Sequence, residues 1–190
     1  MPEDRAAERL ERVDLVRCQW VGLEPAMVRY HDEEWGVPEH DDRRLFEFLT
    51  LEGAQAGLSW RTILLRRAGY RRAFHDWDLD RIAAMDEGDI GRLLEDPGII
   101  RHRGKIESTI SNARVVLGLL PEWSSLDAYV WRFVGEMASG LEGDERAAAM
   151  SRAMRRDGFR FVGPTTLTAF MQAAGLVNDH AADCFRRDEV

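Results

Sequence analysis

The sequence predicts an all-α fold, and three observations lead to that prediction. Apolar residues recur every three or four positions over most of the chain, and no strict alternation of apolar and polar residues persists over four residues. Asp and Gly also stand where helices would start and end. The 190 residues suit one domain, which we assign to residues 15–186. We expect the polar arm at residues 1–14 to be poorly ordered.

The elements follow in chain order from caps and apolar spacing. The clearest helix carries Ile106, Ile110, Ala113 and Leu117, whose spacings of four, three and four form one stripe of an α-helix. Asp residues mark helix starts and Gly residues mark ends. We expect helices from Asp41 or Asp42 to a break at Gly53, from about Ile63 to Gly69, from Asp78 through Met85, from Asp86 or Glu87 to Asp96, from Lys105 across Leu117, across Leu126 to Phe133, across Ala147 to Met154 with a stop at Gly158, and from about Thr165 to Ala174.

Charge and composition limit the functions that the chain can have. The formal net charge is −8, so no broad electrostatic field attracts DNA, and any nucleic-acid contact must come from a local patch or from shape. No run of about 18 apolar residues is present, and the charged first residues lack an apolar signal core. We therefore expect a cytoplasmic protein with no membrane segment. Lys105 is the only lysine, which limits Schiff-base chemistry.

Two cysteines and two histidines have spacings that allow a metal site. His180 and Cys184 are four apart, and in a helix their side chains would point the same way. Cys18 and His31 could complete a closed tetrahedral shell, which is typical of structural zinc. Two buried thiols and two unrelated histidines remain the alternative, because free cysteine is commonly buried as a small apolar residue.

The stretch Leu51–Trp60 has an unusual composition for the end of a core helix. Glu52 is followed by small residues, Gln55, Gly57, Leu58 and a large aromatic residue. Glycines let another group approach the backbone closely. The alternative is a solvated Glu52 with glycines that cap the helix, since Glu is seldom fully buried without a partner.

The turn Phe161–Thr165, between two helices with apolar stripes, reads as a helix–hairpin–helix. Such a turn points backbone N–H groups and a helix N-terminus outward, and these bind a phosphate without net positive charge. An ordinary interhelical turn is the alternative. Arg101, Arg103 and Lys105 form a basic cluster, or else a solvated helix start that faces Glu95–Asp96.

Several long segments together resemble one enzyme family, DNA-3-methyladenine glycosylase I of the helix–hairpin–helix superfamily. The resemblance extends from about residue 17 to residue 184, and it is specific because the matching segments occur in order along the chain. They are Arg17–Trp20, Tyr30–Pro38, Leu51–Trp60, Gly98–Ile106 and Phe170–His180.

The resemblance implies roles for individual residues. One structural zinc would be held by Cys18, His31, His180 and Cys184. Glu52 would recognise the lesion in a pocket walled by Trp20, Tyr30 and Trp60, with Trp35 as structural support. The residues expected to contact DNA are Leu58 as the wedge, Gln55 and Gly57 beside it, and Gly163 and Thr165 in the hairpin. Met27 departs from the family, which usually carries an aromatic residue there, and this difference affects the tightness of the pocket.

The resemblance also implies a reaction and a partner. The enzyme would act as a monomer on double-stranded DNA with alkylated bases, and would extrude and hydrolytically release N3-methyladenine. Asn178 stands where many superfamily members carry a catalytic Asp, and Thr165 where lyase-type members carry Lys, so we expect no lyase activity. Two alternatives stay open: a zinc-stapled DNA-binding module without catalysis, and a glycosylase whose lesion preference is shifted by Met27.

Overall fold

The computed structural model describes residues 15–134, 140–141 and 143–190. The predicted polar arm at residues 1–14 lies outside this part of the chain. All regular structure in the described residues is helical, which confirms the all-α prediction. No helix in these residues has the length and apolar character needed to cross a membrane.

Ten α-helices and three 3₁₀ turns form the described part of the fold. The 3₁₀ turns lie at Gln19–Val21, His75–Trp77 and Phe185–Asp188. The α-helices are α1 (Pro25–Glu33), α2 (Asp42–Gln55), α3 (Trp60–Leu64), α4 (Arg67–Ala73), α5 (Leu79–Ala83), α6 (Glu87–Glu95), α7 (Arg103–Trp123), α8 (Leu126–Trp131), α9 (Gly143–Arg156) and α10 (Pro164–Ala173).

Helix α2 runs through the centre of the fold. Every residue from Leu45 to Ala54 is buried, and the helix contacts α3, α7, α8 and α10. As predicted, Asp41 caps its start by accepting a hydrogen bond from the Arg44 N–H at 3.0 Å. The predicted break at Gly53 is wrong, because the helix continues to Gln55. Gly53 instead allows close packing, since a Cβ there would lie 3.4 Å from the Phe161 Cβ.

A second difference concerns the single helix expected from Ile63 to Gly69. The chain forms two helices, α3 and α4, with an interruption at Leu65–Arg66. The interruption places Arg67 beside α2, where its Nε lies 2.8 Å from the Glu47 carboxylate. Apolar spacing alone does not reveal this change of direction, because the constraint is a tertiary ion pair.

Four charged side chains join α1, α2 and α4 around the buried Glu47. Arg44 and Arg67 both bind Glu47, and they also bind Glu34 at 2.7 and 2.8 Å. Burial alone would raise the pKa of Glu47, but the hydrogen bond and charge of Arg67 outweigh burial and leave this pKa below its ordinary value. The network therefore fixes the start of α2 with its carboxylate ionised.

The two ends of the described chain meet on one side of the fold. Gly175, at φ +70°, lies so close to Val37 that a Cβ would stand 2.4 Å from the Val37 carbonyl carbon. The Glu39 N–H donates to the Ala174 carbonyl at 3.0 Å, and the Phe185 N–H donates to the Val16 carbonyl at 3.0 Å. These contacts bring the C-terminal segment against α1 and the segment before it.

Candidate functional site

The four predicted metal ligands converge in the structure. Cys18, His31, His180 and Cys184 are all buried, and their ligand atoms lie within 4.8 Å of one another. The Cys184 Sγ lies 3.4 Å from both the His31 Nε2 and the His180 Nδ1, and the Cys18 Sγ lies 3.6 Å from the same His180 nitrogen. Tetrahedral zinc with bonds of about 2.3 Å to sulfur and 2.0 Å to nitrogen requires separations of about 3.5 Å, so these residues fit that ion.

A second layer of contacts orients the two imidazoles. The His31 Nδ1 lies 2.8 Å from Asp32, and the His180 Nε2 lies 3.2 Å from the Trp35 carbonyl. Each ring therefore presents its other nitrogen to the cluster. Arg17 holds Asp32 through its Nε at 2.9 Å and its Nη2 at 2.7 Å. Burial lowers the pKa of both His31 and His180, which favours the neutral, metal-binding form.

The helix considered from the sequence at His180–Cys184 is not present in the structure. This segment forms a turn in which the Cys184 N–H donates to the Ala181 carbonyl at 2.9 Å. Asn178 helps to shape the turn, because its side-chain oxygen accepts from the His180 N–H at 3.2 Å. A turn, and not a helix, therefore brings the side chains of His180 and Cys184 together. The predicted four residues still meet, but through a different local structure.

A cavity of about 550 Å³ lies beside the cluster. Its lining includes Glu52 and the four predicted pocket residues, Trp20, Met27, Tyr30 and Trp60. The lining consists of Trp20, Val21, Gly22, Leu23, Glu24, Met27, Tyr30, Trp35, Glu52, Gln55, Ser59, Trp60, Arg61, Ala169 and Gln172.

Aromatic rings form the walls of this cavity. The ring centroids of Tyr30 and Trp60 are 5.1 Å apart, and those of Trp20 and Tyr30 are 6.4 Å apart. Trp35 lies between the cavity and the cysteine–histidine cluster, with its ring centroid 4.6 Å from that of His180. The cluster therefore supports the cavity wall directly.

Glu52 lines the cavity and is only 5% exposed. Among the described residues it has no hydrogen bond or ion pair, and burial raises its pKa to about 8. Burial also raises the pKa of Tyr30 well above its ordinary value, and the nearby Glu52 adds to that shift. The Tyr30 hydroxyl and the Trp60 indole nitrogen are buried without partners in the described structure. A ligand with complementary polar atoms would satisfy groups that the protein leaves unpaired.

The predicted DNA-contacting residues lie next to this cavity. A smaller hollow of about 180 Å³ brings Gln55, Gly57 and Leu58 together with Thr165, and Glu52 also lines it. Gly57 has φ +79°, a backbone conformation that favours glycine. The Leu58 side chain that follows is 40% exposed. The turn after α2 thus presents an apolar side chain beside the start of α10.

The predicted hairpin is the connection between α9 and α10. Gly163 is the N-cap of α10, Pro164 follows at the first helical position, and no side chain caps the helix. The first-turn N–H groups, including that of Thr165, are therefore available to an anion at the positive end of the helix.

Several cavity residues were not predicted from the sequence. Ala169 and Gln172 face the cavity from α10, and their three-residue spacing is the signal that could have identified them. Leu23 stands at the rim with 97% of its surface exposed. Glu24 and Arg61, also at the rim, form an ion pair at 2.9 Å. A single sequence carries no pattern that indicates these rim contacts.

The predicted basic cluster is divided in the structure. Arg101 is exposed, and Arg103 pairs with Glu87 at 2.7 Å. Lys105 turns inward, and its Nζ donates to two backbone carbonyls at the end of α2. The acidic partner of Arg103 is therefore Glu87, whereas the alternative interpretation had placed Glu95–Asp96 opposite this helix start.

Comparisons with known proteins give consistent results. The sequence model of the methyladenine glycosylase family matches residues 20–187. The DNA-3-methyladenine glycosylase 1 of Escherichia coli K12 is 46% identical over 88% of this chain and 95% of its own length. The DNA-3-methyladenine glycosylase of Haemophilus influenzae is 42% identical over 88% of this chain and 96% of its own length. A solved structure on 3-methyladenine recognition by the Staphylococcus aureus glycosylase I has a TM-score of 0.83 and 33% identity, and covers 90% of this chain and 96% of its own.

Replacing Glu52 by Gln should stabilise the protein increasingly as pH rises. The folded state holds Glu52 with a pKa of about 8, above the ordinary value of 4.5, so folding favours the protonated form. The resulting stability is present below the unfolded pKa and is lost as pH rises through about 8. The gain in the free energy of unfolding from Glu52→Gln should therefore grow between pH 4.5 and about 8. The growth should be at most roughly 1.4 kcal/mol per pH unit. Urea unfolding of both proteins across this range measures it, and a gain that does not change with pH would contradict the assignment.

Proposed function

The chain belongs to the methyladenine glycosylase family of DNA-repair hydrolases, and on that basis we propose that it extrudes N3-methyladenine from double-stranded DNA and hydrolyses its N-glycosyl bond. One observation carries the proposal most directly: Glu52, a buried carboxylate with no partner among the described residues, lies in an aromatic cavity. The cavity is of a size suited to small ligands.

Charge discriminates the damaged base from the normal one. N3-methyladenine in DNA carries a positive charge, whereas unmodified adenine is neutral. A cation beside Glu52 lowers the pKa of this carboxyl group, so the group ionises as the base enters and then attracts it strongly in a site of low polarity. Neutral adenine gains no such attraction. Because the glycosidic bond of the cationic base is already weak, the enzyme does not need a strong acid.

The aromatic walls supply the remaining recognition. Trp20, Tyr30 and Trp60 would stack against the extruded base, and cation–π attraction again favours the methylated form. Met27 lines the same cavity and is buried. It offers a flexible apolar surface in place of a stacking face, so it would adjust the tightness of the pocket.

Two adjacent elements would hold the DNA. Leu58 would fill the gap that the extruded nucleotide leaves, with Gln55 and Gly57 beside it. The backbone from Gly163 to Thr165, at the uncapped start of α10, would bind a phosphate. Binding through N–H groups reconciles DNA as a partner with a net charge of −8.

Two features support hydrolysis without lyase activity. The Asn178 amide nitrogen donates to the Arg187 carbonyl at 2.8 Å and the Val190 carbonyl at 3.1 Å, so this side chain serves the fold. Lys105, the only lysine, donates its amine to backbone carbonyls and is not among the residues that line the cavity. We infer that the product is an abasic site, formed by a monomer whose single domain spans residues 15–186.

We propose that the cysteine–histidine cluster holds one structural zinc. Cys18, His31, His180 and Cys184 provide four ligands and leave no open position, so the ion would cross-link the fold. It would join the segment before α1 to the C-terminal segment and support the cavity wall through Trp35.

Purified protein should release free N3-methyladenine from methylated duplex DNA. Glu52→Ala should lower the rate about 100-fold or more, because it removes the charge that stabilises the cationic base. Chromatography of the released base under single-turnover conditions measures this. Glu95→Ala, at the exposed end of α6, is the matched control and should retain the wild-type rate. Wild-type protein that binds DNA and releases no base would instead indicate a DNA-binding module without catalysis.

Elemental analysis should find about one zinc per chain. Cys184→Ser should lose most of the metal and unfold at lower temperature, because one ligand of the cross-link is removed. His40→Asn is the control, since His40 is exposed and lies outside the cluster. Wild-type protein without bound metal and with two titratable thiols would refute the zinc assignment.

A further inference from the structure

We propose that Lys105 is a positioning residue that holds the wedge loop, Ala56–Ser59, in the orientation required for base extrusion. This inference rests on the proposed function, because it assigns a purpose to the loop that carries Leu58. It concerns a side chain outside the base cavity. Nothing in the composition suggests the role beyond the fact that Lys105 is the only lysine in the sequence.

The side chain of Lys105 supplies hydrogen bonds at the end of α2. The last carbonyls of a helix have no partner within the helix. At this end, the Leu58 N–H donates to the Gln55 carbonyl at 2.6 Å. The Lys105 Nζ donates to the Ala54 carbonyl at 2.7 Å and the Ala56 carbonyl at 2.8 Å. One ammonium group therefore joins the last turn of α2 to the first residue of the wedge loop.

Charge and anchoring both suit Lys105 to this task. A cation at a helix C-terminus is stabilised by the helix dipole, and charged donors form stronger hydrogen bonds than neutral ones. The backbone of Lys105 is itself fixed, because its N–H donates to the His102 Nδ1 at 3.3 Å and its carbonyl accepts from the Ser108 hydroxyl at 2.7 Å. The amine thus extends from a fixed point at the start of α7.

A separate residue of α7 holds the hairpin. Asn112 donates to the Arg160 carbonyl at 3.0 Å and accepts from the Arg160 N–H at 2.8 Å. It lies about two helical turns after Lys105, on the same face of α7. The same helix therefore holds both DNA-facing loops through different side chains, and each loop can be perturbed separately.

The position of Lys105 predicts a selective effect. Leu58 is partly exposed. A loop that is not held in place in the free protein must be ordered when DNA binds, and the free-energy cost of that ordering weakens the productive complex. Glu52 lies inside α2 and forms no hydrogen bond or ion pair with Lys105 in the described part of the chain. Loss of the lysine should therefore impair extrusion from duplex DNA and spare the binding of the free base.

Lys105→Met tests the proposal, because it retains most of the side-chain volume and removes the donor. Single-turnover release of N3-methyladenine from duplex DNA should fall about tenfold or more. Binding of free N3-methyladenine, followed by tryptophan fluorescence, should stay within about twofold of wild type. Lys105→Arg should restore most of the rate. Arg81→Met, which removes an exposed cation from α5, should behave like wild type.

A double variant separates positioning from direct DNA contact. If Lys105 acts through Leu58, the combined variant of Leu58→Ala and Lys105→Met should release base at the rate of Leu58→Ala alone. Additive losses would overturn the proposal. The slope of the logarithm of DNA affinity against the logarithm of salt concentration gives a second check. If Lys105→Met reduces the magnitude of this slope by about one, Lys105 contacts a phosphate and the proposal is overturned. Loss of free-base binding, or a wild-type rate in Lys105→Met, would also overturn it. An inactive wild-type protein would refute the proposed function instead.

Discussion

The burial of α2 on all sides from Leu45 to Ala54 is the constraint on which the rest of the structure depends. A helix in this position must provide a partner for each charged group that it carries or leave the group unpaired at a cost. Glu47 and Glu52 show the two outcomes on one helix. Arg67 and Arg44 hold Glu47 ionised, with its pKa below the ordinary value, whereas Glu52 has no partner in the part of the chain that the structure describes and its pKa rises to about 8. The first carboxylate fixes the helix, and the second is available to a cationic ligand.

Helix α1 connects the candidate metal centre to the cavity. Its neighbouring residues Tyr30 and His31 are both buried, but the first lines the cavity and the second reaches the cysteine–histidine cluster. Trp35 contacts His180 on one side and the cavity on the other. Because these rings pack in direct contact, a rigid cluster restricts the positions of the aromatic walls. An ion held by this cluster, as proposed above, would therefore also restrict the shape of the cavity.

Local signals in the sequence predicted much of the fold. For the site, the resemblance to a known family and the spacing of Cys and His named residues that the structure brings together in one cavity and one cluster. The helix start predicted at Asp86 or Glu87, for example, is present, and Asp86 caps it within a capping box. The interruption at Leu65–Arg66 was not predictable, because the contact that accompanies it joins Arg67 to Glu47, which is distant in the sequence. The role of Lys105 was equally hidden, since its partners are backbone carbonyls far away in the sequence, and carbonyls leave no pattern of residue types.

The central claim is that Glu52 is a buried carboxyl group without a partner in the free protein. The most direct test is a titration of its side-chain carbon by NMR, with Glu52→Gln used to assign the signal. We expect an apparent pKa of about 8, because burial penalises the charged form and no cation among residues 15–134, 140–141 and 143–190 offsets the penalty. A midpoint near the ordinary value of 4.5 would contradict the account, since it would show that water or a partner already stabilises the carboxylate.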